Sequence, residues 1–104
     1  MATEEGKIFV GVIGFIFEVT LKEKGVVVPI DTATALSIVF SKPTQATITR
    51  TAVLSTDGLD GKLRYVTIAG DLDLDGWWSL QADVTMPNWD GPSTIDEFEV
   101  FARL

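Results

Sequence analysis

Three carboxylates stand at alternate positions in Asp71-Leu72-Asp73-Leu74-Asp75-Gly76. That spacing copies the opening of a calcium-binding loop, where acidic side chains converge on a hard cation. The twelfth loop position, which should hold a bidentate glutamate, is Ala82, and the segment runs into a strand pattern, not a helix. An EF-hand is thereby excluded. Two readings stay open: a looser calcium site shared with Asp57 or Asp60, and an aspartate-rich corner whose side chains bond nearby backbone amides. The corner is preferred, so no metal and no cofactor are expected.

The tryptophans are the other residues with chemistry to offer. Trp77 falls on the polar row of its strand, and Trp89 falls in a loop between Pro87 and Pro92. An exposed indole gives a large contact area at low entropic cost, suited to stacking on a sugar ring or anchoring a protein interface. Each also has a plain structural use: Trp77 beneath a neighbouring strand or arm, Trp89 as a plug over the open end of the fold. Catalysis lacks its usual groups. The chain has no histidine and no cysteine, so the commonest general base and the strongest nucleophile are missing. Its serines occupy no nucleophile-elbow context, and a non-enzymatic protein is expected.

Composition bounds what must position these residues. The 104 residues make one domain, residues 1–104, with a polar N-terminal arm over 1–6. Apolar residues are 46% of the chain, which argues against disorder. Eight basic against 15 acidic residues leave a net charge of −7, with no aromatic-studded basic patch for nucleic acid. Ile8 to Val19 is the most apolar run, but Gly11, Gly14 and Glu18 interrupt it, so no membrane span is read. Glu4 and Glu5 stand where a secretory signal would carry basic residues, so no export signal is read either.

Period-two alternation dominates the remainder. Trp78, Leu80, Ala82, Val84 and Met86 form one apolar row, opposite Trp77, Ser79, Gln81, Asp83 and Thr85. Successive side chains of a strand point to opposite faces, so this is a half-buried strand led in by the Gly70 corner. Phe15, Phe17, Val19 and Leu21 give a second inward row, and Leu36, Ile38 and Phe40 a third. Ala46 to Ala52 is a threonine-rich strand, Leu63 and Tyr65 lead into Thr67, and Ile95 to Ala102 closes the chain. Lys22-Glu23-Lys24-Gly25 reads as a charged turn. About seven short strands at this spacing predict an all-β fold, an immunoglobulin-like antiparallel β-sandwich with Greek-key connections.

A sandwich has edges, and edges are where such a domain meets partners. Ile8-Phe9-Val10 and Val26-Val27-Val28 are apolar and lightly protected, with Pro29 ending the second. They pair either with strands of the same domain or with a strand added by a neighbouring subunit.

Several segments, in order, carry a resemblance. They are Gly11 to Gly14, then Val28-Pro29-Ile30-Asp31-Thr32-Ala33 ahead of Leu36-Ser37-Ile38-Val39-Phe40, and the Ser41-Lys42-Pro43 stop. Asp60-Gly61-Lys62-Leu63-Arg64-Tyr65 follows, then Ala69-Gly70-Asp71-Leu72-Asp73 and Gly76-Trp77-Trp78-Ser79-Leu80-Gln81-Ala82. Together they resemble the small immunoglobulin-like domains of tailed-bacteriophage structural proteins, such as the N-terminal domain of the baseplate upper protein. The resemblance implies a virion component on the tail, baseplate or head surface, made in the bacterial host cytoplasm. It implies other virion proteins, and copies of the chain itself, as partners. The exposed tryptophans offer the alternative of a carbohydrate-binding, host-surface adhesion module with a host glycan as ligand.

Overall fold

The structure, a computed structural model, describes residues 8–87, 89–93 and 95–103. The polar arm expected over 1–6 lies outside these residues. Eleven strand segments follow one another: β1 (Ile8–Phe9), β2 (Ile16–Thr20), β3 (Lys22–Glu23), β4 (Val26–Val27), β5 (Ala35–Ser41), β6 (Thr47–Thr51), β7 (Val53–Leu54), β8 (Lys62–Val66), β9 (Gly76–Met86), β10 (Trp89–Pro92) and β11 (Asp96–Phe101). The described residues hold no helix, and the fold is all-β. Seven of the segments have four residues or more; the others are two-residue ribbons.

The strand that alternates most cleanly in sequence sits in the middle. Along one edge β9 pairs antiparallel with β5, Thr85 opposite Ala35 through Ser79 opposite Ser41. Along the other edge it pairs with β10 and then β11. The large sheet runs β1-β11-β9-β5-β6, with β10 also on β9, and only the β1–β11 contact is parallel. A smaller sheet runs β2-β8-β7, and β3 with β4 forms a separate ribbon. The chain passes between sheets at Ala52: its N–H still bonds the Leu36 carbonyl in the large sheet, while Val53 already pairs with Arg64 in the small one.

The two inner faces meet through rings. Phe17 of the small sheet lies 5.3 Å from Phe40 and 4.8 Å from Phe98 of the large sheet, centroid to centroid. Trp78 is fully buried, stacks at 6.0 Å on Phe98, and donates its indole N–H to the Leu74 carbonyl. The inward rows expected of β2, β5 and β9 supply Phe17, Val19, Ile38, Phe40, Leu80, Ala82 and Val84 to this core.

Three local expectations are corrected. The segment from Pro87 to Pro92 is no simple loop, because Trp89–Pro92 is strand β10. The cause lies in β9: its eleven residues outrun β11, which reaches only from Gly76 to Leu80, and the remaining backbone groups need partners. At the break between β10 and β11, Ser93 donates its N–H to the Ala82 carbonyl and accepts the Ala82 N–H on Oγ. Lys22 and Glu23 belong to strand β3 and not to the turn, which is Lys24-Gly25 alone. Both turn residues have positive φ, 54° and 80°, the pattern that suits a two-residue hairpin to strand twist. Finally, the threonine-rich strand ends at Thr51, where the chain changes sheets.

Candidate functional site

The densest polar arrangement is built on Asp71, at the corner where β8 hands the chain across to β9. Gly70 turns the chain with φ of 86°, and the Asp71 N–H bonds the Ile68 carbonyl. The carboxylate points inward and its side chain is only 3% exposed. Oδ1 accepts Arg50 Nε at 3.0 Å and Arg50 Nη2 at 2.9 Å. Oδ2 accepts the Tyr65 hydroxyl and, at 2.9 Å, the Ile68 N–H. One carboxylate thus joins β6, β8 and the connection that follows β8.

The electrostatics follow from these contacts. Burial pushes the Asp71 carboxyl up, but the Ile68 N–H, the Tyr65 hydroxyl and the Arg50 guanidinium together hold it below the ordinary carboxylate value. Burial and the neighbouring Asp71 push the Tyr65 phenol up. The hydrogen bond to Asp71 raises Arg50, against a smaller opposing effect of burial. Both oxygens of the buried carboxylate thus meet donors, an arrangement that fixes a corner.

The three alternate aspartates do not converge. Asp71 is committed inward, whereas Asp73 is half exposed and accepts Lys42 Nζ at 3.0 Å. Asp75 is exposed just ahead of β9. Among the described residues no group of three or more acidic side chains is disposed to hold a metal ion. Asp57 and Asp60 serve their own loop: Asp57 accepts the Leu59 N–H, and Asp60 accepts the Lys62 N–H and the Thr56 hydroxyl.

The tryptophan and edge candidates scatter over the molecule. Trp77 stands 61% exposed on the outer face of the large sheet, opposite Glu99 of β11, with no described strand above it. The side chain of Trp89 lies outside the described residues. Ile8 is buried in the core, and Phe9 and Val10 are half-buried, because β1 lies along β11 and the Val10 N–H bonds the Phe101 carbonyl. As contact residues these three are largely consumed by their own domain. Val26 and Val27 are exposed on the β3–β4 ribbon, while Val28 is half-buried and donates its N–H to the Leu21 carbonyl. Gly61 lets the ribbon seat closely: a Cβ there would lie 2.7 Å from Val27 Cγ1.

Sequence reasoning missed two features. One is the Arg50–Asp71–Tyr65 cluster, whose signal was present: Arg50 occupies the same alternating row as Ile48 and Ala52, so a cation on an inward row required an acid. The other is a strip of exposed Ile and Val on the outer face of the small sheet, which only the pairing of β2 with β8 brings together. No family model, no curated protein and no solved structure matches the chain. No helix among the described residues is long and apolar enough to cross a membrane.

Two outcomes follow from the geometry. Asp71→Asn should lower stability by about 2–4 kcal/mol, since buried donors lose a charged acceptor, with Arg50 softening the loss by rehydrating. Because folding lowers the Asp71 pKa, its contribution is full above the ordinary carboxylate value of about 4 and is lost as pH falls through the folded pKa. Urea titrations at pH 7 and pH 3 should therefore show a shallower acid loss for Asp71→Asn than for wild type; equal slopes would exclude the cluster as the cause. Separately, the melting temperature should be the same in millimolar calcium and in chelator, and a rise of several degrees with calcium would show that the aspartates do converge on an ion.

Proposed function

We propose that the chain is a non-enzymatic interaction domain of a bacteriophage particle, a tail, baseplate or head-surface component built as an immunoglobulin-like β-sandwich. The wiring supports that architecture. The chain visits the small sheet with β2, the large with β5 and β6, the small with β7 and β8, and the large again with β9 and β11. This alternation between the sheets, which β1 opens in the large one, is what a Greek-key sandwich would give and supports the immunoglobulin-like reading. The phage assignment rests on the ordered turn-and-strand motifs from Gly11 to Val100.

A single observation carries the interaction role. The outer face of the small sheet presents Ile16 directly opposite Val66, and the exposed Ile68 follows just beyond the end of β8. The Gly14 N–H bonds the Thr67 carbonyl and brings the chain at Ile13 alongside. These four side chains are 43–63% exposed. Scattered apolar side chains on a surface mean little, but a contiguous strip of branched aliphatics on a sheet face marks a contact site. The outer face of the large sheet is, by contrast, rich in Thr, Ser and Glu.

Ile16→Lys with Val66→Glu should leave the fold intact, as surface substitutions usually do. The same pair should reduce incorporation into virions of the encoding phage by about tenfold or more, corresponding to at least 1.4 kcal/mol of contact energy. Normal incorporation of the variant, or absence of the wild-type chain from purified virions, would overturn the proposal.

The exposure of Trp77 beside Glu99 favours a second reading, a glycan-binding surface on the large sheet. Host wall polysaccharide should then quench or blue-shift tryptophan emission, and Trp77→Ala should remove the response. Silence across a broad sugar panel retires it.

A further inference from the structure

We propose that β6 is a self-pairing edge, through which two copies of this chain join antiparallel about Thr49 and continue the large sheet across a dimer. The inference rests on the interaction-domain reading and deepens it by naming a surface and its occupant.

Among the described residues β6 is bonded only to β5. The Lys42 N–H bonds the Ala46 carbonyl, and the Ala52 N–H bonds the Leu36 carbonyl. Backbone direction alternates along a strand, so residues 46, 48, 50 and 52 turn their polar groups toward β5. Thr47, Thr49 and Thr51 therefore direct theirs outward, and their side chains are also exposed.

Soluble proteins blunt such edges with charge, proline, bulges or brevity. Among the described residues the other edges do so, the β3–β4 ribbon by brevity at two residues a strand. The β10–β11 edge carries Asp90, Pro92, Asp96, Glu97 and Glu99, and β1 and β7 are two residues long. The centre of β2 is Glu18, so a symmetric pairing there would set two carboxylates against each other. Strand β6, Thr-Ile-Thr-Arg-Thr, has no proline and four β-branched residues of five. Its one charge, Arg50, is turned away and held by Asp71.

The register is self-complementary. Antiparallel pairing about Thr49 sets Thr47 opposite the partner's Thr51 and Thr49 opposite the partner's Thr49. Threonine pairs are favourable across strands. Each of these pairs exchanges two backbone hydrogen bonds, and the two-fold axis makes one patch serve both copies. The net charge of −7 opposes approach at long range, so added salt tightens the dimer.

Cross-linking tests this directly, because the chain has no cysteine. Paired Cα atoms in this register lie about 5.5 Å apart, within disulfide reach. Under mild oxidation Thr49→Cys should form a covalent dimer at least about tenfold faster than Thr47→Cys, which faces position 51 instead. In sedimentation equilibrium Thr49→Pro, which removes only an outward N–H at an edge where proline is tolerated, should weaken the dimer about tenfold or more with the melting curve retained. Thr49→Lys gives the same reading if proline unfolds the chain. A monomer up to about 1 mM, or equal cross-linking at both positions, overturns the pairing. Association that persists with unselective cross-linking also overturns it, yet leaves the interaction-domain reading standing, since the Ile16 and Val66 substitutions test that reading independently.

Discussion

A central strand must satisfy backbone groups along both edges while one of its faces carries the core, and β9 does this over eleven residues. One edge is taken by β5 and the other by β10 and β11, so every other member of the large sheet is placed by pairing with β9 or with one of its neighbours. Its inner row runs Trp78, Leu80, Ala82, Val84, and the small Ala82 lies opposite Ile38 of β5, so large and small side chains share the space. Ala82 is also where Ser93 fills the gap between β10 and β11. A break in the outer strand thus costs β9 no hydrogen bond, and the sheet changes partners without opening.

The second constraint is electrostatic. The connection between β8 and β9 must cross from one sheet to the other, and crossings are held weakly unless something fastens them. Asp71 fastens this one by drawing a guanidinium from β6, a hydroxyl from β8 and an amide from the turn onto a single buried carboxylate. Burying that charge is costly alone and is offset because the donors occupy both oxygens. The arrangement has a consequence at the surface: Arg50 is withdrawn from the edge strand it would otherwise guard.

Alternation made much of the architecture legible. The inward rows of β2, β5 and β9 were readable because each side chain's burial follows its parity, and the all-β class followed from them. What stayed hidden depends on pairing length and on tertiary partners. Trp89 to Pro92 has proline and glycine and no alternation, yet it is strand because β9 leaves an edge to fill. Ile8 reads as an exposed edge because its partner β11 lies some ninety positions away. Asp71, Asp73 and Asp75 are indistinguishable as letters; only the fold separates the one that meets Arg50 from the one that meets Lys42. The exposed strip of Ile13, Ile16, Val66 and Ile68 required knowing that β2 and β8 are neighbours.

The surface is therefore uneven in a way that core formation does not require. Stability would be served as well by threonine at positions 16 and 66 as by isoleucine and valine, since both side chains stand in solvent. Apolar side chains kept exposed on one sheet face invite association, and a net charge of −7 counteracts the non-specific kind through long-range repulsion. Contacts that form despite such repulsion must be short-ranged and complementary, which a flat aliphatic strip and an uncharged strand edge both are. Acidic residues lie along β10 and β11 and at the centre of β2, where Glu18 shares the outer face with Ile16, whereas the outward row of β6 is threonine alone. Charge and its absence are thus divided among the edges: β2, β10 and β11 carry carboxylates, and the outward row of β6 carries threonines.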